Sequence, residues 1–213
     1  MLVKPRLFSF DIFGTVVDWR RGLETDLQRI GFTLGQHGFD RIVDVQGADQ
    51  QAGFRPYREI TARSLIGVLG VYPLDAERIG RELGRWPAFS DSAAGLAALM
   101  QHAPCVAMTN SDREHGADVQ GTLGLELSHW ICAEEVGAYK PDPRFWHAVS
   151  QRLDVPLDRS WWHVSAYADY DLEVAGALGL TRVFVERPHR RPGPAEYTVR
   201  DLNELAQLAA RVR

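Results

Sequence analysis

The sequence predicts an α/β fold, in which a doubly wound, Rossmann-like parallel sheet carries a small helical cap inserted after the first strand. Short apolar runs alternate with helix-like segments along most of the 213 residues, and this alternation is typical of parallel sheets with helices on both faces. Residues 18–86 break the alternation, since they contain no strand-like run and are predicted to form three or four helices. We therefore expect an α/β core of residues 1–17 and 88–213 and a cap of residues 18–87.

Five buried strands are predicted in the core, because each is a short apolar run bounded by polar residues, Gly or Pro. They are Leu7–Ile12, Cys105–Met108, Trp130–Ala133, Trp161–Ser165 and Arg182–Val185. Ligands bind at the carboxyl ends of the strands in such a sheet. Polar residues that directly follow a strand are therefore the first candidates for a functional site.

Helical patterns lie between the predicted strands and within the cap. The core helices are predicted at Ser92–Gln101, Asp112–Leu123, Pro143–Leu153, Asp169–Leu178 and Val199–Arg213. In the cap, apolar residues recur at helical spacing between Tyr57 and Val68. The segment RPHRRPGPAEY, which follows the last predicted strand, is rich in Pro and charge and is expected to be flexible.

Composition narrows the class of protein. The net charge is −4 without a sustained basic run, which gives no electrostatic reason to expect nucleic acid or a membrane surface as a partner. No apolar run reaches membrane-spanning length, and the N-terminus is charged too early for a secretory signal. The two cysteines cannot form a disulfide framework. We expect a cytoplasmic enzyme, for which a homodimer through the cap is compatible but not required.

Asp11 is the first candidate for chemistry. It ends the first predicted strand, and Gly14 and Thr15 follow it. Gly14 allows a tight backbone turn, and Thr15 can donate a hydrogen bond to a carboxylate or to a substrate oxyanion. An Asp after a strand is also a common helix cap or turn residue, so Asp11 alone does not decide the function.

Three further elements strengthen the interpretation. Thr109 and Asn110 end the second strand, where a hydroxyl and an amide can orient a ligand. Lys140 stands in GAYKPDPRF, where two prolines restrict the backbone, and a lysine held in this way is suited to pairing with a buried carboxylate. Asp171 begins a helix after the strand WWHVS, with Asp169 two residues before it.

These segments together resemble a known family. FDIFGTVVDW, MTNSD, YKPDPRF and HVSAYADYDLEVAGALGL are similar to the four ordered motifs of the haloacid dehalogenase superfamily. The form FGTVVDWR and the later PYRE segment most resemble the branch that contains the 2-haloacid dehalogenases. The resemblance covers nearly the whole core and implies a doubly wound sheet with a helical cap.

The resemblance also implies roles for individual residues. Asp11 would be the covalent nucleophile, and Thr109 and Asn110 would take the hydroxyl and amide positions of the second motif. Lys140 would neutralise the nucleophile, and Asp171 would hold that lysine. The implied reaction displaces halide from a 2-haloacid to give an ester, which water then hydrolyses to a 2-hydroxyacid.

Phe13 is the position that favours one substrate class. The resemblance implies that a phosphatase of this family carries an Asp two residues after the nucleophile, where it protonates the departing alcohol. Phe13 can transfer no proton, whereas a halide needs none to leave. We therefore expect a small carboxylate substrate, and neither a metal nor a redox cofactor.

The cap is expected to supply the substrate-binding side chains. Arg55 and Arg58, in FRPYRE, are the candidates for binding a carboxylate or a halide, because a guanidinium can form a bidentate pair. Arg55 is preferred slightly over Arg58. Trp19 is expected to form part of the pocket wall.

Asp169 keeps an alternative open. The resemblance implies an Asn shortly before Asp171 that places the hydrolytic water, and this sequence has Ala168 and Asp169 there. Asp169 could position the water, or it could join Asp11 and Asp171 in an oxygen-rich magnesium site. The second arrangement would indicate a magnesium-dependent phosphatase. A third hypothesis is a catalytically weak relative, which would need Asp11 to be shielded or Lys140 to be turned away.

Overall fold

A computed structural model describes residues 3–35 and 37–212, and in this part of the chain six parallel strands form one sheet. The strands are Leu7–Phe10 (β1), Cys105–Thr109 (β2), His129–Cys132 (β3), Trp161–Ser165 (β4), Thr181–Val185 (β5) and Tyr197–Val199 (β6). Their order is β3-β2-β1-β4-β5-β6. The predicted doubly wound α/β fold is confirmed.

Ten α-helices are present in the described residues, with a 3₁₀ turn at Leu83–Arg85 and a π-helical turn at Ala168–Leu172. Four of them follow β1 without an intervening strand: Trp19–Arg29 (α1), Gly38–Gln51 (α2), Tyr57–Leu69 (α3) and Pro73–Glu82 (α4). The others are Ser92–Leu99 (α5), Glu114–Leu123 (α6), Ala133–Val136 (α7), Arg144–Leu153 (α8), Glu173–Ala177 (α9) and Leu202–Ala210 (α10). Helices α1–α4 are the segment predicted to be the cap, and the boundaries at residues 17/18 and 87/88 stay a prediction. None of the helices in the described residues has the length and apolar character to cross a membrane.

The segment after Pro188 corrects one expectation. It was predicted to be flexible, but Tyr197–Val199 joins the sheet as β6, and Glu196 forms hydrogen bonds of 2.9 and 3.0 Å with the Arg182 guanidinium of β5. A three-residue strand is too short to show a period-2 pattern, so sequence periodicity could not reveal it. The last helix correspondingly begins at Leu202 and not at Val199, because Asp201 caps it by accepting from the Glu204 N–H at 2.8 Å.

The helices after β1 are anchored to the sheet by Asp112. Its carboxylate accepts hydrogen bonds from the backbone N–H groups of Tyr57, at 2.7 Å, and Arg58, at 2.9 Å, so a residue that follows β2 caps the start of α3. Asp112 therefore does not cap the predicted helix at its own position, and α6 begins at Glu114. This contact holds α3 near the carboxyl ends of the strands.

The backbone turn after β1 is also held in a defined conformation. Gly14 has a φ of +98°, in the region that favours glycine, and a Cβ at this position would lie 2.5 Å from the ring of Tyr167. The buried Arg187 side chain donates to the Thr15 carbonyl at 2.9 Å and pairs with both oxygens of Asp91. The chain therefore turns sharply and rigidly directly after Asp11.

Candidate active site

The candidate site lies where the strand order reverses. The strands β1, β2 and β3 extend to one side of the sheet, and β4, β5 and β6 extend to the other. Ligand sites of open α/β sheets form at this switch point, beyond the carboxyl ends of the strands. Asp11 follows β1 and Ser165 ends β4, so both lie at this edge.

Lys140 bridges two buried carboxylates at this edge. Its ammonium lies 3.1 Å from Asp11 Oδ1 and 2.9 and 3.0 Å from the two oxygens of Asp171. Lys140 is 1% exposed, Asp171 0% and Asp11 4%. The predicted pairing of Lys140 with a buried carboxylate thus occurs twice, and the cation occupies the space between the two acids.

Asp171 is held by further donors from β4. Ser165 donates its hydroxyl to Oδ2 at 2.8 Å, and His163 Nε2 lies 3.1 Å from Oδ1. Both side chains are completely buried. With the two oxygens of Asp171 occupied in this way, the carboxylate has little freedom to move away from Lys140.

The tautomer of His163 follows from its neighbours. Ser9 pairs with His163 across β1 and β4, and its hydroxyl accepts the Trp161 indole N–H at 2.6 Å. The Ser9 proton is then available for His163 Nδ1, 2.7 Å away. We therefore assign the ring proton to Nε2, which donates to the Asp171 carboxylate. A continuous buried network runs from Trp161 to Lys140.

The pKa values of these groups reflect burial and mutual charge. Burial raises the pKa of Asp11 above the ordinary value of 3.8, although the Lys140 ammonium and the Thr15 hydroxyl oppose the rise. Burial also disfavours a charged Asp171, but Lys140 and His163 outweigh it and hold the pKa of Asp171 below 3.8. The same two carboxylates overcome the effect of burial on Lys140 and keep its pKa above 10.5.

The hydroxyl and amide residues of the predicted site are committed to protein partners. Thr15 donates to Asp11 Oδ2 at 2.8 Å and accepts the Ala166 N–H at 2.9 Å. Thr109 donates to Ser111 at 3.2 Å. The Asn110 amide donates to Gln50 Oε1 and to the Lys140 carbonyl, and its oxygen accepts the Lys140 N–H at 2.8 Å.

In the described structure, Asn110 and Thr15 therefore hold other residues in position. Asn110 joins the end of β2 to the backbone of Lys140 and to α2. Thr15 orients the carboxylate of Asp11. Neither side chain keeps a polar hydrogen for a ligand in this arrangement, which differs from their predicted place among the substrate-binding residues.

A cavity of about 680 Å³ opens in front of Asp11. This volume is in the usual range for a small-molecule site. Phe13 and Trp19 line it as predicted, together with Phe54 and four tyrosines. The Phe13 ring packs edge-on against Trp86, so an apolar surface stands beside the carboxylate where an acid would otherwise be.

Neither predicted arginine lines this cavity. The Arg58 guanidinium points to Asp112 and Glu114, at 3.4 and 3.5 Å. Arg55 contributes its carbonyl oxygen as the acceptor of the Tyr139 hydroxyl, and its Nε is buried without a partner in the described residues. The sequence could not show that Arg58 lies outside the cavity, because its pairing with Asp112 joins residues that are far apart in the chain.

Asp169 lies apart from the Lys140 network. It is exposed, pairs with Arg191 at 3.2 Å and lines the cavity. The carboxylates of Asp11, Asp169 and Asp171, all in the described part of the chain, do not lie within 4.8 Å of one another. The oxygen-rich magnesium site that was considered from the sequence is therefore not assembled.

One group of described residues does have potential metal-ligand atoms within 4.8 Å of one another. This group consists of Asp112, Glu114 and His115. Asp112 is already used to cap α3. His115 accepts the Asp112 N–H on one nitrogen and lies 3.1 Å from the Gly80 carbonyl on the other. The ligand atoms of Asp112 and His115 are therefore committed to protein partners, and the two side chains link the segment after β2 to α3 and α4.

Sequence reasoning missed several residues of the site. Ser165 ends β4 and could have been found by the rule that revealed Asp11. The contact of His163 with Asp171 becomes visible only in the folded chain, where the π-helical turn after β4 brings Asp171 back to the strand. Tyr167, Tyr170 and Arg191 line the cavity from segments whose geometry no periodic pattern predicts.

Several known proteins that this chain resembles in sequence and structure are 2-haloacid dehalogenases, while none of the protein-family models matches the chain. The (S)-2-haloacid dehalogenase 1 of Pseudomonas sp. (strain CBS-3) is 31% identical over 132 residues, 59% of this chain and 57% of that enzyme. The match therefore spans just over half of that relative's length. The (S)-2-haloacid dehalogenase 4A of Burkholderia cepacia is 24% identical over 99% of this chain and 97% of its own.

A solved L-2-haloacid dehalogenase gives the structural counterpart. It superposes with a TM-score of 0.83 at 28% identity and covers 97% of this chain and 99% of its own. The sequence relatives and this structure agree with the four motifs and with the observed sheet. The chain is therefore similar in both sequence and fold to 2-haloacid dehalogenases.

Proposed function

We propose that this protein is a metal-independent 2-haloacid dehalogenase in which Asp11 is the nucleophile. The observation that carries the proposal is the Lys140 ammonium between Asp11 and Asp171, at the base of a cavity beside Phe13. The ammonium balances the charge of the two carboxylates, and Phe13 leaves no acid beside Asp11 that could protonate an alkoxide. The substrate class, a small 2-halogenated carboxylate, is that of the relatives by name.

The first step is a displacement at carbon. One oxygen of the Asp11 carboxylate attacks the α-carbon, the carbon–halogen bond breaks with its electron pair, and halide leaves without a proton. An ester joins Asp11 to the acid. Thr15 and Lys140 hold the carboxylate in place, and the turn at Gly14 fixes its approach.

The second step is hydrolysis of that ester. Water adds to the side-chain carbonyl carbon of Asp11, and the bond from this carbon to the substrate oxygen breaks. One proton of the water passes to that oxygen to give the 2-hydroxyacid, and the other is released to solvent as Asp11 returns to its carboxylate form. The oxygen of the new hydroxyl therefore comes from Asp11, and the water oxygen stays in the carboxylate. Asp171 is linked to Asp11 through Lys140, so this buried network lies beside the reacting carbonyl.

A magnesium-dependent phosphatase is less well supported. Phe13 cannot protonate an alkoxide leaving group, and Asp169 is turned to Arg191. The catalytically weak alternative required a shielded Asp11 or a displaced Lys140. Asp11 lines the cavity and Lys140 contacts it, so neither condition is met.

The test measures halide release from 2-chloropropionate and chloroacetate with EDTA present, for the wild type and Asp11→Asn. The proposal expects release that persists in EDTA and disappears in the variant. A single turnover in ¹⁸O-water should label Asp11 and leave the product unlabelled. Magnesium-dependent turnover of a phosphate ester, with no halide released from either acid, would overturn the proposal.

A further inference from the structure

Four tyrosines line the cavity, and the hydroxyl groups of three of them form hydrogen bonds within the protein. Tyr57 donates to Gln46 Oε1 at 2.8 Å, and Tyr139 donates to the Arg55 carbonyl. The Tyr167 hydroxyl lies 2.8 Å from His189 Nδ1. The hydroxyl of Tyr170 has no hydrogen-bond partner in the part of the chain that the structure describes.

The π-helical turn places Tyr170 beside Lys140, which contacts the reacting carboxylate of Asp11. Such a turn contains one residue more than a turn of α-helix, and π turns are frequent at functional sites. Here the turn presents both Tyr170 and Asp171 toward Lys140, whose ammonium lies 5.6 Å from the centre of the Tyr170 ring. The ring also packs against Tyr167, with the ring centres 5.5 Å apart.

Tyr170 stays protonated in this position. Burial raises its pKa well above the ordinary value of 10, and the negative charges of Asp11 and Asp171 add to the effect. At neutral pH the hydroxyl is a hydrogen-bond donor. Tyr170 lines the cavity, and its hydroxyl, which has no protein acceptor in the described residues, is available to a bound anion.

Several of the other polar residues that line the cavity already donate to protein groups. Thr15 and Thr109 donate to protein oxygens, and both amide hydrogens of Asn110 are used. The arginine that lines the cavity near Tyr170 is Arg191, and it pairs with Asp44 at 2.6 Å and Asp169 at 3.2 Å. The carboxylate of a 2-haloacid needs at least one hydrogen-bond donor to replace its hydration shell.

We propose that the Tyr170 hydroxyl donates a hydrogen bond to the carboxylate of the bound acid and thereby directs its α-carbon toward Asp11. This inference rests on the proposed function for the identity of the acid. The binding role does not depend on turnover, because the same hydroxyl binds the carboxylate of an unreactive acid. Tyr170 is then a catalytic residue that touches the substrate.

The experiment removes one oxygen atom with Tyr170→Phe and uses Tyr57→Phe as the matched control, since Tyr57 lines the same cavity but donates to Gln46. Calorimetry measures the Kd of propionate and of lactate for both variants and the wild type. A hydrogen bond to a charged group is worth about 1.5–3 kcal/mol, so Tyr170→Phe should weaken both acids about 10- to 100-fold. The control should change them less than about threefold.

Kinetics with 2-chloropropionate and 2-bromopropionate give a second readout. The loss in kcat/KM for Tyr170→Phe should be the same for both halogens, because the hydrogen bond is to the carboxylate. A loss that depends on the halogen would assign the hydroxyl to the leaving group and overturn the proposal. So would an unchanged Kd in a variant whose Tm equals that of the wild type, or a wild type that binds neither propionate nor lactate.

Failure of the two proposals can be distinguished. If the wild type releases no halide but binds propionate, the proposed function fails, and the Kd of Tyr170→Phe still decides the role of Tyr170. If halide is released and Tyr170→Phe binds propionate as the wild type does, the dehalogenase proposal stands and the role of Tyr170 is refuted.

Discussion

Lys140→Met tests the charge arrangement on which the reaction depends. Methionine keeps most of the length of the side chain but removes the cation that contacts Asp11 and Asp171 at 2.9–3.1 Å. Two buried carboxylates then face each other without compensation. Removing one partner of a buried ion pair costs about 3–5 kcal/mol, so the free energy of unfolding at pH 8 should fall by that amount.

The pH dependence of this loss identifies its cause. In the wild type the pKa of Asp171 is below 3.8, so its contribution to stability is present above the ordinary carboxyl pKa and is lost as pH falls through the lowered value. In Lys140→Met, burial without the ammonium raises the pKa of both carboxylates above their unfolded values. The folded variant then binds protons more readily than the unfolded chain, and its deficit should shrink from pH 8 to pH 5.

Urea denaturation at the two pH values measures the effect, with Lys4→Met as the control. Lys4 is the other lysine of the sequence and is exposed, so its loss should change the free energy by less than about 0.5 kcal/mol. Halide release by Lys140→Met should fall about 10²- to 10³-fold, as for the loss of one preorganised electrostatic group. A deficit below about 1 kcal/mol, or one equal at pH 8 and pH 5, would refute this account of Lys140.

Three further predictions follow from the site. Halide release should decline as pH falls, because Asp11 becomes protonated. Burial raises the pKa of Asp11, so the midpoint of the decline should lie above pH 3.8. A pH–rate profile that is flat down to pH 3.8 would contradict this prediction. His163→Phe should lower kcat about tenfold with little change in KM, because Asp171 loses one hydrogen-bond donor. His163→Gln should recover part of the loss. Equal steady-state kinetics for the two variants would show that the hydrogen bond from His163 does not contribute to catalysis. The 680 Å³ cavity with aromatic walls should accept 2-chloro-3-phenylpropionate with a kcat/KM within about tenfold of that for 2-chloropropionate; a decline of more than 100-fold would show that the cavity narrows around the substrate.

The predictable part of the fold follows from patterns that are local in the chain. The strands β1 to β5 are apolar runs at least four residues long, and the residues at their carboxyl ends were found because every parallel strand delivers its C-terminus to one edge. The strand β6 was missed because three residues carry no period. The beginning of α6 was predicted two residues early because Asp112, a good cap for its own helix, caps α3 instead.

The cap side of the site was predicted less well. Arg55 and Arg58 were chosen because a guanidinium suits an anion, yet Arg58 pairs with Asp112 and Glu114 and neither arginine lines the cavity. Tyr170 was not selected because the sequence does not indicate where its hydroxyl points. Its position depends on a π-helical turn, in which one added residue rotates the side chains that follow it.

The sequence by itself determined the α/β class and the strands β1 to β5, because hydrophobic periodicity acts over a few neighbouring positions. The resemblance of its motifs to a known family indicated Asp11, Lys140 and Asp171 as candidate site residues. Only the tertiary structure decided that Lys140 lies between the two carboxylates. It also decided that Asn110 forms its hydrogen bonds with the Lys140 backbone and that Asp169 pairs with Arg191. Each of these outcomes is a competition among polar groups for a limited number of partners. That competition is settled by distances between residues far apart in the chain, which no local pattern encodes.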